Sequence, residues 1–167
     1  MDGFGVAEWR YSAGNFLLTG QKWTSGFAFV GTTGQNKTER GKNMLFYKCD
    51  ECGNFITFLG EKAATPACCG KPMKEVAPNT TDAAQEKHVP VVSIDGDKVN
   101  VRVGSVDHPM QEEHYITFII LETNMGFQKK DLHPGEEPSA NFVLAEGEKA
   151  VAAYEYCNLH GFWKAEC

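Results

Sequence analysis

The sequence predicts an all-β protein in which a small four-cysteine metal domain precedes an antiparallel β-sandwich. Three observations support this prediction. From Leu45 onward the chain consists of short β-rich runs separated by turns rich in Gly, Pro, Asn and Asp. No convincing amphipathic helix interrupts these runs. Four of the six cysteines lie close together in sequence, at positions 49, 52, 68 and 69.

Residues 1–43 differ in composition from the remainder of the chain. They are rich in Gly, Thr and aromatic residues, and they show no sustained helical or strand period. They carry five basic against three acidic residues, whereas the whole chain has a net charge of −6. We therefore expect a boundary near Met44.

The first cysteine motif lies in LFYKCDECGNFITFLG, which predicts two short strands around a Cys-x-x-Cys-Gly turn. Pro66, Gly70 and Pro72 bracket a second tight turn that contains Cys68 and Cys69. Four thiolates from two tight turns suit a tetrahedral zinc or a single iron, and the ligand type alone leaves the two metals open. The glycine that follows each pair lets the chain curl around the ion.

Several strands follow the polar connector PNTTDAAQ. VPVVSIDGDKVNVRVG predicts a hairpin, because alternate valines flank an Asp95-Gly96 turn. HYITFIILET, NFVL and AVAAYEYC predict further strands. Their spacing is typical of an antiparallel β-sandwich.

A second set of metal ligands is predicted where these strands end. His88 precedes the hairpin, His108 and His114 bracket the turn HPMQEEH, and Cys157 and His160 lie at the end of the last predicted strand. Because strand ends of a sandwich converge, these side chains can surround one ion. Four imidazoles and one thiolate are too many ligands for a usual structural zinc site.

EKHVP, HPMQEEHYI and CNLHGFW, together with the upstream cysteines, resemble desulfoferrodoxin, the two-iron form of superoxide reductase. The resemblance covers the chain from about Met44 to its end. It implies a desulforedoxin- or rubredoxin-like iron domain over residues 44–80 and an immunoglobulin-like β-sandwich over residues 81–167. Residues 1–43 have no counterpart, and we expect natural translation to start at Met44. The rival is a real extension, and the intact mass of the protein from its native host decides between the two.

The resemblance also implies an activity, the one-electron reduction of superoxide to hydrogen peroxide without dismutation. Superoxide would bind opposite the sulfur of the catalytic iron, Glu86 would be the sixth ligand in the oxidised state, and Lys87 would supply positive charge and help to organise proton delivery. The implied ligands of the catalytic iron are His88, His108, His114, Cys157 and His160. Those of the second iron are Cys49, Cys52, Cys68 and Cys69.

Composition limits the other classes of function. The acidic chain argues against nucleic-acid binding, and the apolar runs are too short to cross a bilayer. The start of the sequence lacks the features of a secretory signal, so we expect the reducing cytoplasm, where a disulfide framework is disfavoured. The resemblance implies a homodimer and a rubredoxin-like electron donor. Two rivals are a non-catalytic electron-transfer protein and a zinc-ribbon interaction module.

Overall fold

The computed structural model describes residues 44–60 and 64–167. The boundary expected near Met44 and the expected start of translation both concern residues 1–43, which lie outside the described residues. Within the described part, no helix is long and apolar enough to cross a membrane. The elements are β1 Phe46–Lys48, β2 Phe55–Thr57, β3 Ala67–Cys68, β4 Lys71–Pro72, β5 Lys74–Glu75, α1 Gln85–His88, β6 Pro90–Asp95, β7 Lys98–Val103, β8 Ile116–Thr123, β9 Phe127–Asp131, β10 Ser139–Val143, β11 Ala150–Cys157 and β12 Gly161–Glu166.

Two antiparallel sheets form the predicted immunoglobulin-like β-sandwich, with strand orders β10-β7-β6 and β12-β11-β8-β9. The alternation of β7 buries Val99, Val101 and Val103 against the facing sheet, as its sequence predicts. The hairpin β6–β7 is closed by the pair Asp95–Lys98, so Gly96 and Asp97 form its turn. The all-β fold class is therefore confirmed.

The four-cysteine segment has its own small sheet, β2-β1-β5, and a separate hairpin, β3-β4. Phe46 of β1 and Phe55 of β2 pack on the outer face of the four-stranded sheet. The ring of Phe46 lies 4.6 Å from that of Phe162 and 5.2 Å from that of Tyr154. Aromatic packing of this kind ties the cysteine-bearing strands to the sandwich.

The connector between the two parts is hydrogen-bonded to the edge of β12. The backbone N–H of Asn79 donates to the carbonyl of Phe162. Its side-chain amide donates to the carbonyl of Lys164 and accepts from the N–H of the same residue. Asn79 thereby occupies ladder positions that a neighbouring strand would fill. This contact sets the path by which the chain reaches α1 and His88.

Candidate metal centres

The four cysteines of the first motif converge on one site. Their sulfur atoms all lie within 4.8 Å of one another, and Cys52 and Cys68 approach to 3.5 Å. Cys49 is buried, whereas Cys52 and Cys69 are exposed. The backbone N–H of Cys52 is the main cause that lowers the pKa of Cys49 to about 7. Hydrogen bonds that the Cys69 thiol donates to neighbouring sulfurs, first that of Cys52, raise the pKa of Cys69 to about 12. Four sulfurs this close suit a tetrahedral ion that displaces the thiol protons.

The second predicted set also converges, although its members come from four separate segments. His88 ends α1, His108 and His114 lie in the β7–β8 connection, Cys157 ends β11, and His160 lies in the turn before β12. One ligand atom from each residue lies within 4.8 Å of every other. The sequence-based expectation that strand ends bring these five residues together agrees with this geometry.

The four imidazole rings lie at the corners of a near-square. In the order 88, 108, 114, 160, adjacent ring centroids are 4.9, 4.5, 4.7 and 4.8 Å apart, and adjacent planes are inclined by 73–80°. The ring centroids of His88 and His114, at opposite corners, are 6.5 Å apart, which is close to the diagonal of a square with sides of this length. The Cys157 sulfur, 3.7 Å from Nδ1 of His160, adds a fifth donor.

Backbone carbonyls determine which ring nitrogens are free to bind a metal. Nδ1 of His88 lies 2.7 Å from the carbonyl of Ala84, and Nδ1 of His108 lies 2.6 Å from that of Pro109. A carbonyl can only accept, so we assign the ring proton to Nδ1 and the lone pair to Nε2. Nε2 of His108 and Nε2 of His114 are buried and have no hydrogen-bond partner within residues 44–60 and 64–167. Buried nitrogen lone pairs of this kind fit a metal ion at the centre of the square.

Burial favours the neutral form of His88, His108 and His114, the form that binds a metal. It lowers the pKa of His108 to about 4, and it is the main cause that lowers the pKa of His88 and of His114. Burial also raises the pKa of the Cys157 thiol. Metal binding at this site therefore has to displace the thiol proton.

Two further residues, Trp163 and Asn158, support the ligands. Trp163 stacks on the ring of His88 at 5.0 Å, and its indole N–H donates to the carbonyl of His160. Asn158 accepts from the N–H of Tyr115 and donates to the carbonyl of Glu113, so it ties both neighbours of His114 to the turn after Cys157. The only sequence signal for Asn158 is its place between two ligands.

A further residue near the site, Glu155, is fully buried, and its two carboxylate oxygens have no hydrogen-bond partner among the described residues. Burial raises its pKa well above the usual value, which favours the protonated carboxyl. The inward orientation of Glu155 could have been predicted from the sequence, because side chains alternate along β11 and Glu155 lies two residues before Cys157, on the same face.

The other predicted residues lie at the rim or outside the site. Glu86 and Lys87 are exposed on the helical turn that ends at buried His88, and Glu86 is outside the group of converging ligand atoms. The fifth histidine of the chain, His133, is exposed and lies outside both groups of converging ligand atoms. The roles of Glu86 and Lys87 remain predictions.

Comparison with known proteins places this geometry in a family. A sequence model described as Desulfoferrodoxin matches residues 80–166. The chain belongs to the desulfoferrodoxin family. A desulfoferrodoxin from Syntrophotalea carbinolica is 48% identical over 120 residues, which cover 72% of this chain and 94% of the relative. A desulfoferrodoxin homolog from Archaeoglobus fulgidus is 44% identical and covers 73% of this chain and 96% of its own.

A solved structure agrees with this assignment. The superoxide reductase from Treponema pallidum is 37% identical, with a TM-score of 0.64, and the match covers 75% of this chain and all of the other. The four-cysteine group and the four-histidine, one-cysteine group match the two mononuclear iron sites of the desulfoferrodoxin family. The chain is accordingly an iron-binding oxidoreductase of this family.

Proposed function

We propose that this chain is a superoxide reductase. Superoxide takes up one electron and two protons and becomes hydrogen peroxide, and no second superoxide is oxidised. The observation that carries the proposal is the near-square of four imidazoles with one cysteine sulfur, in a chain similar to a solved superoxide reductase. A structural zinc site needs only four ligands, so a fifth donor favours a redox metal.

His88, His108, His114, Cys157 and His160 would hold a ferrous ion, which would supply the single electron that redox-silent zinc cannot. The thiolate of Cys157 would raise the electron density of such an ion. The Nδ1–H bonds of His88 and His108 hold their rings in a fixed orientation and make the Nε2 atoms more basic. Trp163 covers one face of His88 and excludes water there.

Lys87 attracts the anionic substrate in this proposal. The whole chain is acidic, so superoxide needs a local positive charge on its path. Lys87 is exposed, directly precedes a ligand, and reaches His114 electrostatically, although burial and His160 contribute more to the lowered pKa of that ring. Glu86, on the same turn, is proposed as the sixth ligand of the oxidised site.

The proposal includes the wider context of the reaction. We propose residues 44–80 as the electron-storing iron domain and residues 81–167 as the catalytic domain. Cys52 and Cys69 are the exposed members of the first centre, and a small donor such as rubredoxin could deliver electrons there. A homodimer and a cytoplasmic location complete the proposal, and the location is consistent with six free cysteines.

Lys87→Ala tests the proposal together with the wild-type protein. We expect the reduced, iron-loaded wild type to react rapidly with superoxide, and the variant to react about two- to tenfold more slowly with a weaker dependence on ionic strength, because a local charge acts by steering. Pulse radiolysis over a range of salt concentrations measures both quantities.

Lys98→Ala is the matched control, because Lys98 is an exposed lysine at the other end of the β6–β7 hairpin. Equal rates and salt slopes for the two variants would remove Lys87 from the proposal. A wild-type protein that leaves superoxide unchanged would remove the reductase activity itself and favour the electron-transfer rival.

A further inference from the structure

The loop that follows β7 lies directly against the backbone of α1. Gly104 has a φ of +78°, and a Cβ built on it would lie 2.8 Å from the carbonyl oxygen of Glu86 and 2.8 Å from the carbonyl carbon of Lys87. It would also lie 2.6 Å from the carbonyl oxygen of Val106. All three are backbone atoms, which cannot swing aside as a flexible side chain can. Only glycine fits this position without moving the Glu86–Lys87 peptide.

Hydrogen bonds from the same loop hold this turn on both sides. The N–H of Val106 donates to the carbonyl of Glu86 at 3.0 Å, and the hydroxyl of Ser105 donates to the same oxygen at 3.3 Å. The N–H of Gly104 donates to the carbonyl of Val89, just beyond the helix. The turn is thus held at Glu86 and again at Val89.

Helix α1 has little stability of its own. It contains four residues, and its N-cap, Ala84, makes no side-chain hydrogen bond. The N–H of Lys87 donates to the carbonyl of Ala84 and that of Val89 to the carbonyl of Gln85, at the two ends of this single turn. A single turn of helix is not stable without tertiary contacts. The position of Glu86 and Lys87 therefore depends on tertiary contacts: Trp163 packs on His88, and the loop after β7 contacts the backbone of Glu86 and Lys87 directly.

We propose that residues 104–106, which we term the docking loop, position Glu86 and Lys87 over the four-histidine site, and that Gly104 is the positioning residue that permits this contact. The assignment of roles to Glu86 and Lys87 rests on the proposed function. The contact itself does not, because it is a property of the fold. A displacement of this turn weakens steering without removing a metal ligand.

Gly104→Ala in the full-length protein tests the proposal, with Gly96→Ala as the matched control. Gly96 also has a positive φ, +62°, but a Cβ there meets nothing within 4 Å. Both variants carry the backbone strain, and only Gly104→Ala adds the collision. The first readout is hydrogen exchange of the Val106 amide. We expect exchange about tenfold faster in Gly104→Ala than in Gly96→Ala, because the bond to Glu86 is lost.

The second readout is the reaction of the reduced, iron-loaded protein with superoxide. Gly104→Ala is expected to retain iron but to react more slowly, with the weakened salt dependence of Lys87→Ala, whereas Gly96→Ala retains the wild-type salt dependence. A merely structural role would not change the salt slope. The proposal would be overturned if Gly104→Ala matched Gly96→Ala in both the exchange rate of the Val106 amide and the dependence of the superoxide reaction on ionic strength.

Ser105→Ala covers the case in which Gly104→Ala does not fold. It removes only the hydroxyl that donates to Glu86, and we expect the Val106 amide to exchange a few-fold faster than in the wild type. Unchanged exchange in this variant would contradict the proposal. If the wild type proved inactive with superoxide, the exchange data would still decide whether the loop holds the turn, so the two failures are distinguishable.

Discussion

Cys157→Ser abolishes the reaction with superoxide and leaves the four-cysteine centre intact. Cys157 is fully buried among the four imidazoles and is the only sulfur in their group. A serine hydroxyl stays protonated at neutral pH and donates less charge to a metal than a thiolate does. We expect the rate of reaction with superoxide to fall by more than about 100-fold. Removal of a residue that only hydrogen-bonds to a metal ligand already costs up to that factor.

The measurement combines iron content, the absorption spectrum of each centre and the rate of superoxide loss. Cys167→Ser is the control, because Cys167 is exposed and belongs to neither ligand group. The four-cysteine spectrum should survive in both variants, since the two groups share no residue. Loss of both spectra in Cys157→Ser would show that the two centres depend on each other.

Phe46→Ala destabilises the protein by about 3–5 kcal/mol, the usual cost of removing a buried aromatic ring. Phe46 is 2% exposed, and its ring contacts those of Phe55, Tyr154 and Phe162. It precedes Cys49 by three residues, so its loss also loosens the strand that leads into the first centre. Chemical denaturation of the iron-loaded protein, followed by circular dichroism, measures the change in the free energy of unfolding.

Phe127→Ala is the control for this variant, because Phe127 lies on edge strand β9 and is 37% exposed. It removes the same number of atoms and should lower the free energy of unfolding far less. If both variants unfold at the same denaturant concentration, the contact between the cysteine-bearing strands and the sandwich does not stabilise the protein.

Strands such as β7 and β8 could be predicted from the sequence because their pattern carries their burial, whereas β12, Gly161–Glu166, was not predicted although it buries Phe162 and Trp163. β7 alternates between buried valines and more exposed residues, and the apolar run of β8 follows from its buried position between β11 and β9. Strand β9, Phe127–Asp131, was not predicted. It is a polar edge strand with no buried residue, so its pairing with β8 decides its conformation and its own composition does not.

The ligands could be predicted because a metal site needs particular side chains at short local spacings. Cys157 and His160, three residues apart, indicate such a site before any fold is known. The supports of the ligands could not be predicted in the same way. Asn158 acts on residues more than forty positions earlier in the chain, and Trp163 stacks on His88, so both roles depend on tertiary contacts.

The contact between Gly104 and α1 shows the same limit. Nothing in the string VRVGSV distinguishes this glycine from one that only ends a strand. Its close approach to Glu86 becomes visible only when the two backbones are placed side by side. Residues that bind a metal can be identified from their own chemistry, whereas residues that position other residues require the fold.

The yield of hydrogen peroxide and dioxygen from superoxide tests the proposed function most directly. The fully reduced, iron-loaded protein is mixed anaerobically with less superoxide than it has reduced sites, and both products are measured. A superoxide reductase gives one hydrogen peroxide for each superoxide, no dioxygen, and one oxidised iron site for each turnover. Half that yield of peroxide, accompanied by an equal amount of dioxygen, would show dismutation and contradict the proposed function.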